Sequence, residues 1–254
     1  MDKKKYMDVL TKHAEAKNRP YESALNDFLD FLIAFFDVKA FYGKPEHYAQ
    51  HVQKEFQAEP EFAELALLWL SDVAHEMEHG RWLDAFGELY EEMYLTRGKA
   101  SKTGQFFTPR SVSDFCSEVL NTDNKKCGLV NDCAAGSGRL LLSHFMDKFT
   151  KEDHSAARLF RYIAQDSDPI ACKMCALNMM VHGMNAEVIC QDTLRMSTPA
   201  IVYSINEVRY PFISPYYSIR TKLPKIADDK QQLNCVSIVG VVYPYYRTSK
   251  KIAL

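Results

Sequence analysis

The stretch that most constrains this chain is Asn131-Asp132-Cys133-Ala134-Ala135-Gly136-Ser137-Gly138-Arg139-Leu140-Leu141-Leu142. The apolar run Gly128-Leu129-Val130 leads into an acid, a Gly-Ser-Gly turn follows, and a helical pattern begins at once. A strand, a tight loop and a helix N-terminus in that order form a cradle for a nucleoside-like cofactor. Glycines let the backbone come close to such a ligand, and the helix N-terminus offers N–H groups to an anion.

The periodicity around this loop divides the chain. Residues 1–100 read as helices. Leu25, Phe28, Leu29, Leu32, Ile33 and Phe36 repeat at helical spacing over Ser23–Phe36. Phe62, Leu65, Leu68, Trp69 and Val73 do the same over Glu61–Glu78, after Pro60. A third pattern covers Trp82–Tyr94, and Gly43-Lys44-Pro45 and Gly80 mark breaks. Arg97 to Gly104 is a polar connector.

After Pro109 the pattern predicts a helix at 110–120, a strand at 129–133, a helix at 138–149, a strand at 160–165, a helix at 168–182 opened by Asp168-Pro169, and a strand at 187–190. Alternating strands and helices imply a parallel sheet with right-handed crossovers. Ile201-Val202-Tyr203 and Val236–Tyr243 look like further strands, while prolines 199, 211, 215 and 224 leave little room for helix. The expected organisation is a helical domain at 1–100, a cofactor-binding α/β domain at 101–198 and a basic, Tyr-rich tail at 199–254.

Composition narrows the class. The chain has 254 residues, 47% hydrophobic and 25% charged, which suits a globular protein with an ample core. No apolar run is long enough to cross a membrane, and Met1-Asp2-Lys3-Lys4-Lys5 leads into no signal core, so a cytoplasmic protein is expected. Seven irregularly spaced cysteines fit reduced thiols. The net charge of −2 hides an asymmetry: residues 1–100 carry −7, and the basic excess of +5 lies after residue 198, among seven tyrosines. Basic residues interleaved with aromatics suit nucleic acid. The excess is small for an electrostatic footprint, and an ordinary surface tail explains it as well.

Asp132, Asp166 and Asp192 fall at the ends of the three predicted strands. In an open parallel sheet, ligands bind outside the carboxyl ends of the strands, so the three acids share one edge. Asp166 is placed to accept ribose hydroxyls and Asp192 an adenine amino proton. Capping is the ordinary alternative for each. Leu141 replaces the third glycine of the dinucleotide fingerprint, and no Gly-Lys-Ser/Thr follows, which disfavours nicotinamide, flavin and P-loop nucleotides.

Five segments together resemble the adenine-N6 DNA methyltransferases, and in particular the modification subunits of type I restriction-modification systems. They are Leu83-Asp84-Ala85-Phe86-Gly87-Glu88-Leu89-Tyr90-Glu91, Gly104-Gln105-Phe106-Phe107-Thr108-Pro109-Arg110, the Asp132–Gly138 loop, Asp166–Gly183 and Gln191-Asp192-Thr193-Leu194. The resemblance implies a Rossmann-like domain, S-adenosylmethionine as cofactor, DNA as substrate, and specificity or restriction subunits as partners. It implies that Phe107, Thr108 and Pro109 lie beside the methionine end. Asp132 would meet the amino group, with Ala134, Gly136, Ser137 and Gly138 around the backbone. Asp166 would hold the ribose and Asp192 the adenine ring. From the residues alone, Phe106-Phe107 read equally as core aromatics and Thr108-Pro109 as a helix start.

Methyl transfer to a base also needs a pocket for the flipped base. The family carries it as Asn/Asp-Pro-Pro-Tyr/Phe after its fourth strand. This chain has no Pro-Pro; Asn206, after Ile201–Ile205, is the candidate by position, followed by Glu207-Val208. The expectation is a fold incomplete in its C-terminal half, truncated or diverged after residue 194, that binds cofactor and methylates poorly or not at all alone.

Two other motifs compete. His75-Glu76-Met77-Glu78-His79 matches the zinc-peptidase helix pattern, with two histidines on one face and Glu76 as base. Gly80 ends that helix at once, and a polar helix end with histidines near the negative dipole terminus is the alternative. A decoy or non-catalytic partner of a restriction complex is the third reading. Cys172-Lys173-Met174-Cys175 lies in a predicted helix, and helix packing is its expected role; a polar contact to the neighbouring strand is expected for Asn178 and His182, which share a face of it.

Overall fold

A computed structural model describes residues 1–37, 54, 57–95, 107–120, 127–151, 156–206 and 218–222. Among the described residues four helices come first: α1 Lys3–Ala16, α2 Tyr21–Phe36, α3 Pro60–Glu78 and α4 Ala85–Leu95. Helix α5 Arg110–Leu120 precedes strand β1 Gly128–Asp132, helix α6 Arg139–Lys151, a 3₁₀ turn at Ala156–Leu159, strand β2 Phe160–Asp166, helix α7 Pro169–Val181 and strand β3 Asn185–Cys190. Strands β4 Ile201–Ile205 and β5 Ile219–Lys222 complete the described elements.

Local chemistry sets the helix starts. Asp2 accepts the Lys4 N–H ahead of α1, and Asp168 accepts the Ile170 N–H ahead of α7, where Pro169 takes the first turn. Residues 1–100 were expected to be helical; the basic start, Lys3-Lys4-Lys5, itself opens α1.

The sheet order is β1-β2-β3-β4-β5. Strands β1, β2 and β3 are parallel, as the alternating pattern predicts, with Asp132 opposite Ala164 and Asp166 opposite Cys190. Strands β4 and β5 are each antiparallel to the preceding strand, so the sheet is mixed. This corrects the expectation for Ile201–Ile205. Its C-terminal end lies at the edge where β1–β3 begin, away from Asp132 and Asp166.

A single buried cluster runs through helices and sheet. Its helical part is aromatic: Trp69 and Phe86 rings lie 5.0 Å apart and Phe28 and Phe62 rings 5.2 Å apart, tying α2, α3 and α4 together. Helix α7 is the hub. Ten of its residues, among them Cys172, Cys175 and Asn178, are buried, because it packs against α2 on one side and β2, β3 and β4 on the other. Cys172 and Cys175 are thus interior packing residues. The Val236–Tyr243 strand, the Arg97–Gly104 connector, Gln105, Phe106 and the tail from 223 lie outside the described residues.

Candidate functional site

The carboxyl ends of β1, β2 and β3 bring the three predicted acids to one edge. Backbone bonds lock that edge: the Ala135 N–H donates to the Gln165 carbonyl at 2.9 Å, and the Gln191 N–H to the Asp166 carbonyl at 2.8 Å. The Thr193 hydroxyl donates to the Cys133 carbonyl at 3.1 Å, joining the first loop to the third.

Asp132 carries the unusual feature. Its Oδ1 accepts the Ala134 N–H at 3.0 Å, while its Oδ2 is buried without a hydrogen-bond partner. Burial raises its pKa, the Ala134 N–H opposes that, and the charge of Asp166 adds to it. A buried carboxylate oxygen left unpaired is costly, so this is a place for a donor, above all a cationic one.

Each oxygen of Asp166 accepts one backbone N–H. Its Oδ2 accepts the Gly136 N–H and its Oδ1 the Asp168 N–H, both at 2.9 Å. A carboxylate has about four lone-pair sites, so each oxygen can still accept a hydroxyl. Asp192 holds its own loop: Oδ1 accepts N–H groups of Leu194 and Arg195, and the loop closes through Ser197. The capping alternative therefore describes part of what Asp192 does.

The glycines answer to the protein as well as to any ligand. Gly136 and Gly138 have φ of +54° and +94°. A Cβ on Gly136 would stand 3.0 Å from the Phe107 ring, and one on Gly138 would stand 2.9 Å from Cys175 Sγ. Phe107 therefore lies against the loop, edge-on to Tyr90 at 5.5 Å. The Pro109 carbonyl accepts the Val112 and Ser113 N–H groups at the start of α5, so this segment is both a helix start and a neighbour of the loop.

Ser137 faces inward. It is 1% exposed, and its hydroxyl donates to Asp84 Oδ2 at 2.5 Å. The same oxygen accepts Arg139 Nε at 2.6 Å, while Oδ1 accepts Asn178 Nδ2 at 2.7 Å and the Gly87 N–H at 2.8 Å. Arg139 also makes a two-point pair with Glu91, at 2.9 and 3.0 Å, and donates to the Thr108 carbonyl. Burial alone would lower the Arg139 pKa, but Asp84 and Glu91 outweigh it and raise it. Sequence reasoning assigned no role to Asp84, Glu91 or Arg139. An acid just before the Ala85 helix pattern signals a cap, and the Gly87 bond is of that kind. No spacing rule brings residues 84, 137, 139 and 178 together. Asn178 and His182 meet Asp84 and the Leu83 N–H rather than a neighbouring strand, which corrects the expectation for that face.

Asn206 lies elsewhere. It ends β4 at the opposite edge of the sheet, with φ of +47°. Its Nδ2 donates to the Met180 and Met184 carbonyls, and its Oδ1 accepts the Ser218 N–H. Its amide is occupied in joining α7's end to the β4–β5 connection, far in the topology from the acids.

The zinc pattern does not assemble. Glu76 pairs with Arg81 at 2.6 Å, which lowers its pKa where a general base needs it raised. His79 Nδ1 bonds the His75 carbonyl at 2.7 Å. Among the described residues no three His, Cys, Asp or Glu side chains are grouped to hold a metal.

With this geometry in place, the comparison with known proteins is decisive. Residues 81–234 match the family model described as N-6 DNA Methylase. The chain belongs to the N-6 DNA methylase family. It is 31% identical over 125 residues to the MjaIX methylase subunit of a type I restriction enzyme from Methanocaldococcus jannaschii, and 33% identical over 118 residues to the MpnII methylase subunit from Mycoplasma pneumoniae. These matches cover 48% and 44% of this chain and 21% of each relative. The matched stretch thus spans about a fifth of those relatives' length. A solved type I methyltransferase subunit from Streptococcus thermophilus aligns with 82% of this chain and 41% of its own, at 21% identity and a TM-score of 0.35. A modification subunit from Vibrio vulnificus aligns with 43% of this chain and 24% of its own, with the same identity and TM-score. The family match spans the Asp84 helix start, the Gly136 loop and all five strands, and it does not favour the zinc reading.

Proposed function

We propose that this N-6 DNA methylase chain forms the cofactor-binding part of a DNA adenine-N6 methyltransferase of the type I restriction-modification kind. In this reading β1–β3 with α6 and α7 are the first half of a Rossmann-like domain, and S-adenosylmethionine binds at their carboxyl ends. The buried, unpartnered Oδ2 of Asp132 carries the reading, because it offers an acceptor to an ammonium group. DNA is the substrate, and specificity and restriction subunits are the partners.

The residues fit the group. Asp132 would take the amino group, and its carboxylate would be drawn back toward the charged form by that cation. Ala134 and the Gly136–Gly138 turn would line the backbone of the methionine end, with Phe107 and Thr108–Pro109 beside it. The spare lone pairs of Asp166 would accept the ribose hydroxyls, and Asp192 would meet the adenine ring. When bound, S-adenosylmethionine supplies an electrophilic methyl group on sulfur. The chain's own task is to hold the cofactor and to exclude water from its methionine end. The chain has no Pro-Pro pair, and Asn206, the candidate by position, stands at the other edge with its amide occupied, so the chain alone is expected to bind cofactor and to transfer little methyl to DNA.

Calorimetric titration separates this reading from other nucleotide functions. S-adenosylmethionine and S-adenosylhomocysteine should bind with one site per chain, and ATP and NAD should not. A folded chain that ignores S-adenosylmethionine contradicts the proposal. Efficient transfer of labelled methyl to DNA by the chain alone contradicts its second half.

A further inference from the structure

We infer that Asp84 is a positioning residue for the cofactor site: it locks the Gly136–Gly138 loop and the Phe107–Pro109 segment into one arrangement. The inference rests on the cofactor reading above, but its geometry is independent of any ligand. Asp84 is 1% exposed and accepts four hydrogen bonds, two on each oxygen. The donors come from three separate stretches: Gly87 at the start of α4, Ser137 and Arg139 at the loop and the start of α6, and Asn178 in α7. A Cβ on Gly87 would collide with the Asp84 carboxylate, so that residue leaves the space the side chain occupies.

The node reaches both halves of the site. Ser137 is held at both ends, its hydroxyl by Asp84 and its carbonyl by Asn178 Nδ2 at 3.0 Å. Arg139 transmits the constraint onward. With Nε fixed by Asp84, its Nη1 reaches the Thr108 carbonyl at 3.3 Å, and its guanidinium carbon lies 5.4 Å from the centre of the Phe107 ring. A cation at a helix N-terminus opposes the helix dipole, and the paired acids Asp84 and Glu91 offset this at Arg139. Asp84 is thus the anion that allows a buried arginine to sit where it can hold the Phe107–Pro109 segment against the loop.

The fitting variant is Asp84→Asn. An amide keeps the shape but replaces one acceptor oxygen with a donor, so it cannot serve Gly87, Asn178, Ser137 and Arg139 together. S-adenosylmethionine affinity should weaken by about tenfold or more. Hydrogen exchange should quicken together in peptides covering 107–113 and 136–142, with peptides covering 3–16 and 201–205 unchanged. Ser137→Ala, which removes one of the four donors, should show a smaller loss that is not additive with Asp84→Asn, and it serves should Asp84→Asn fail to fold. Asp72→Ala removes the acceptor of the Tyr6 hydroxyl at 2.8 Å and is the structural control. It should lower the melting temperature and leave affinity alone.

Wild-type affinity in Asp84→Asn, or unchanged exchange in either site segment, overturns the inference. If the unaltered chain binds no S-adenosylmethionine, the cofactor reading falls, and exchange alone decides: joint loosening of the two segments upholds the inference, and loosening of one or neither overturns it.

Discussion

Two imidazoles buried beside the site and the sheet are neutral in this fold. His182 accepts the Leu83 N–H on Nε2 and donates from Nδ1 to the Asn178 carbonyl. Burial lowers its pKa to about 4 against the opposing pull of that carbonyl and Asp84. His144, beside the Tyr162 hydroxyl, is likewise lowered to about 4, by burial and then by Lys148. Both values lie below the ordinary 6.5, so the unfolded chain binds more protons in that window. Stability from these rings is fully present above pH 6.5 and is lost as pH falls toward 4, by up to about 3 kcal/mol per ring. Urea unfolding across this range should show the fall, and His182→Gln should flatten it. An equal slope in the variant would show that His182 is not responsible. At this scale the three acids were legible because strand ends are legible. The inward turn of Ser137 was not, because its partner Asp84 is 53 residues away and no local pattern encodes the meeting.

The elements followed from periodicity almost residue by residue: Glu61–Glu78 forms Pro60–Glu78, and 110–120 forms Arg110–Leu120. Strand direction did not follow. Alternation tells which face of a strand is buried, not which neighbour it pairs with or in which sense. Ile201–Ile205 therefore read correctly as a strand, while the position of its end was misjudged and Asn206 with it. Asn206→Ala should destabilise the fold by about 2–3 kcal/mol, since it takes the side-chain donor from the Met180 and Met184 carbonyls and the acceptor from the Ser218 N–H and leaves a side chain at positive φ. Chemical denaturation measures this. Cofactor affinity measured on the folded variant should not change, because Asn206 stands at the other sheet edge; a tenfold loss would place it in the site after all. Gly138→Ala should do the reverse, impairing the site directly, since its Cβ has no room beside Cys175.

At the scale of the molecule, one core among the described residues joins the helices to the sheet, through α7. Domain limits drawn from the change of pattern near residue 100 mark a change of element type, and the packing runs across them. Trp69 sits in the aromatic core of the helices, and Trp82 Nε1 donates to Asp114 on α5 at 2.9 Å. Tryptophan fluorescence and far-ultraviolet circular dichroism should therefore report one coincident thermal transition. Two separated transitions would show that the helical part and the sheet unfold independently. The family match covers the site edge, where three acids, an inward-locked glycine loop and one unpaired carboxylate oxygen stand together. That oxygen is the point on which the reading stands. Equilibrium binding of S-adenosylmethionine to the intact chain and to Asp132→Asn tests it most directly. The reading predicts single-site binding that weakens at least about tenfold in Asp132→Asn while the melting temperature holds or rises, because the substitution removes a buried, unpaired charge. Equal affinity in the two proteins would contradict it.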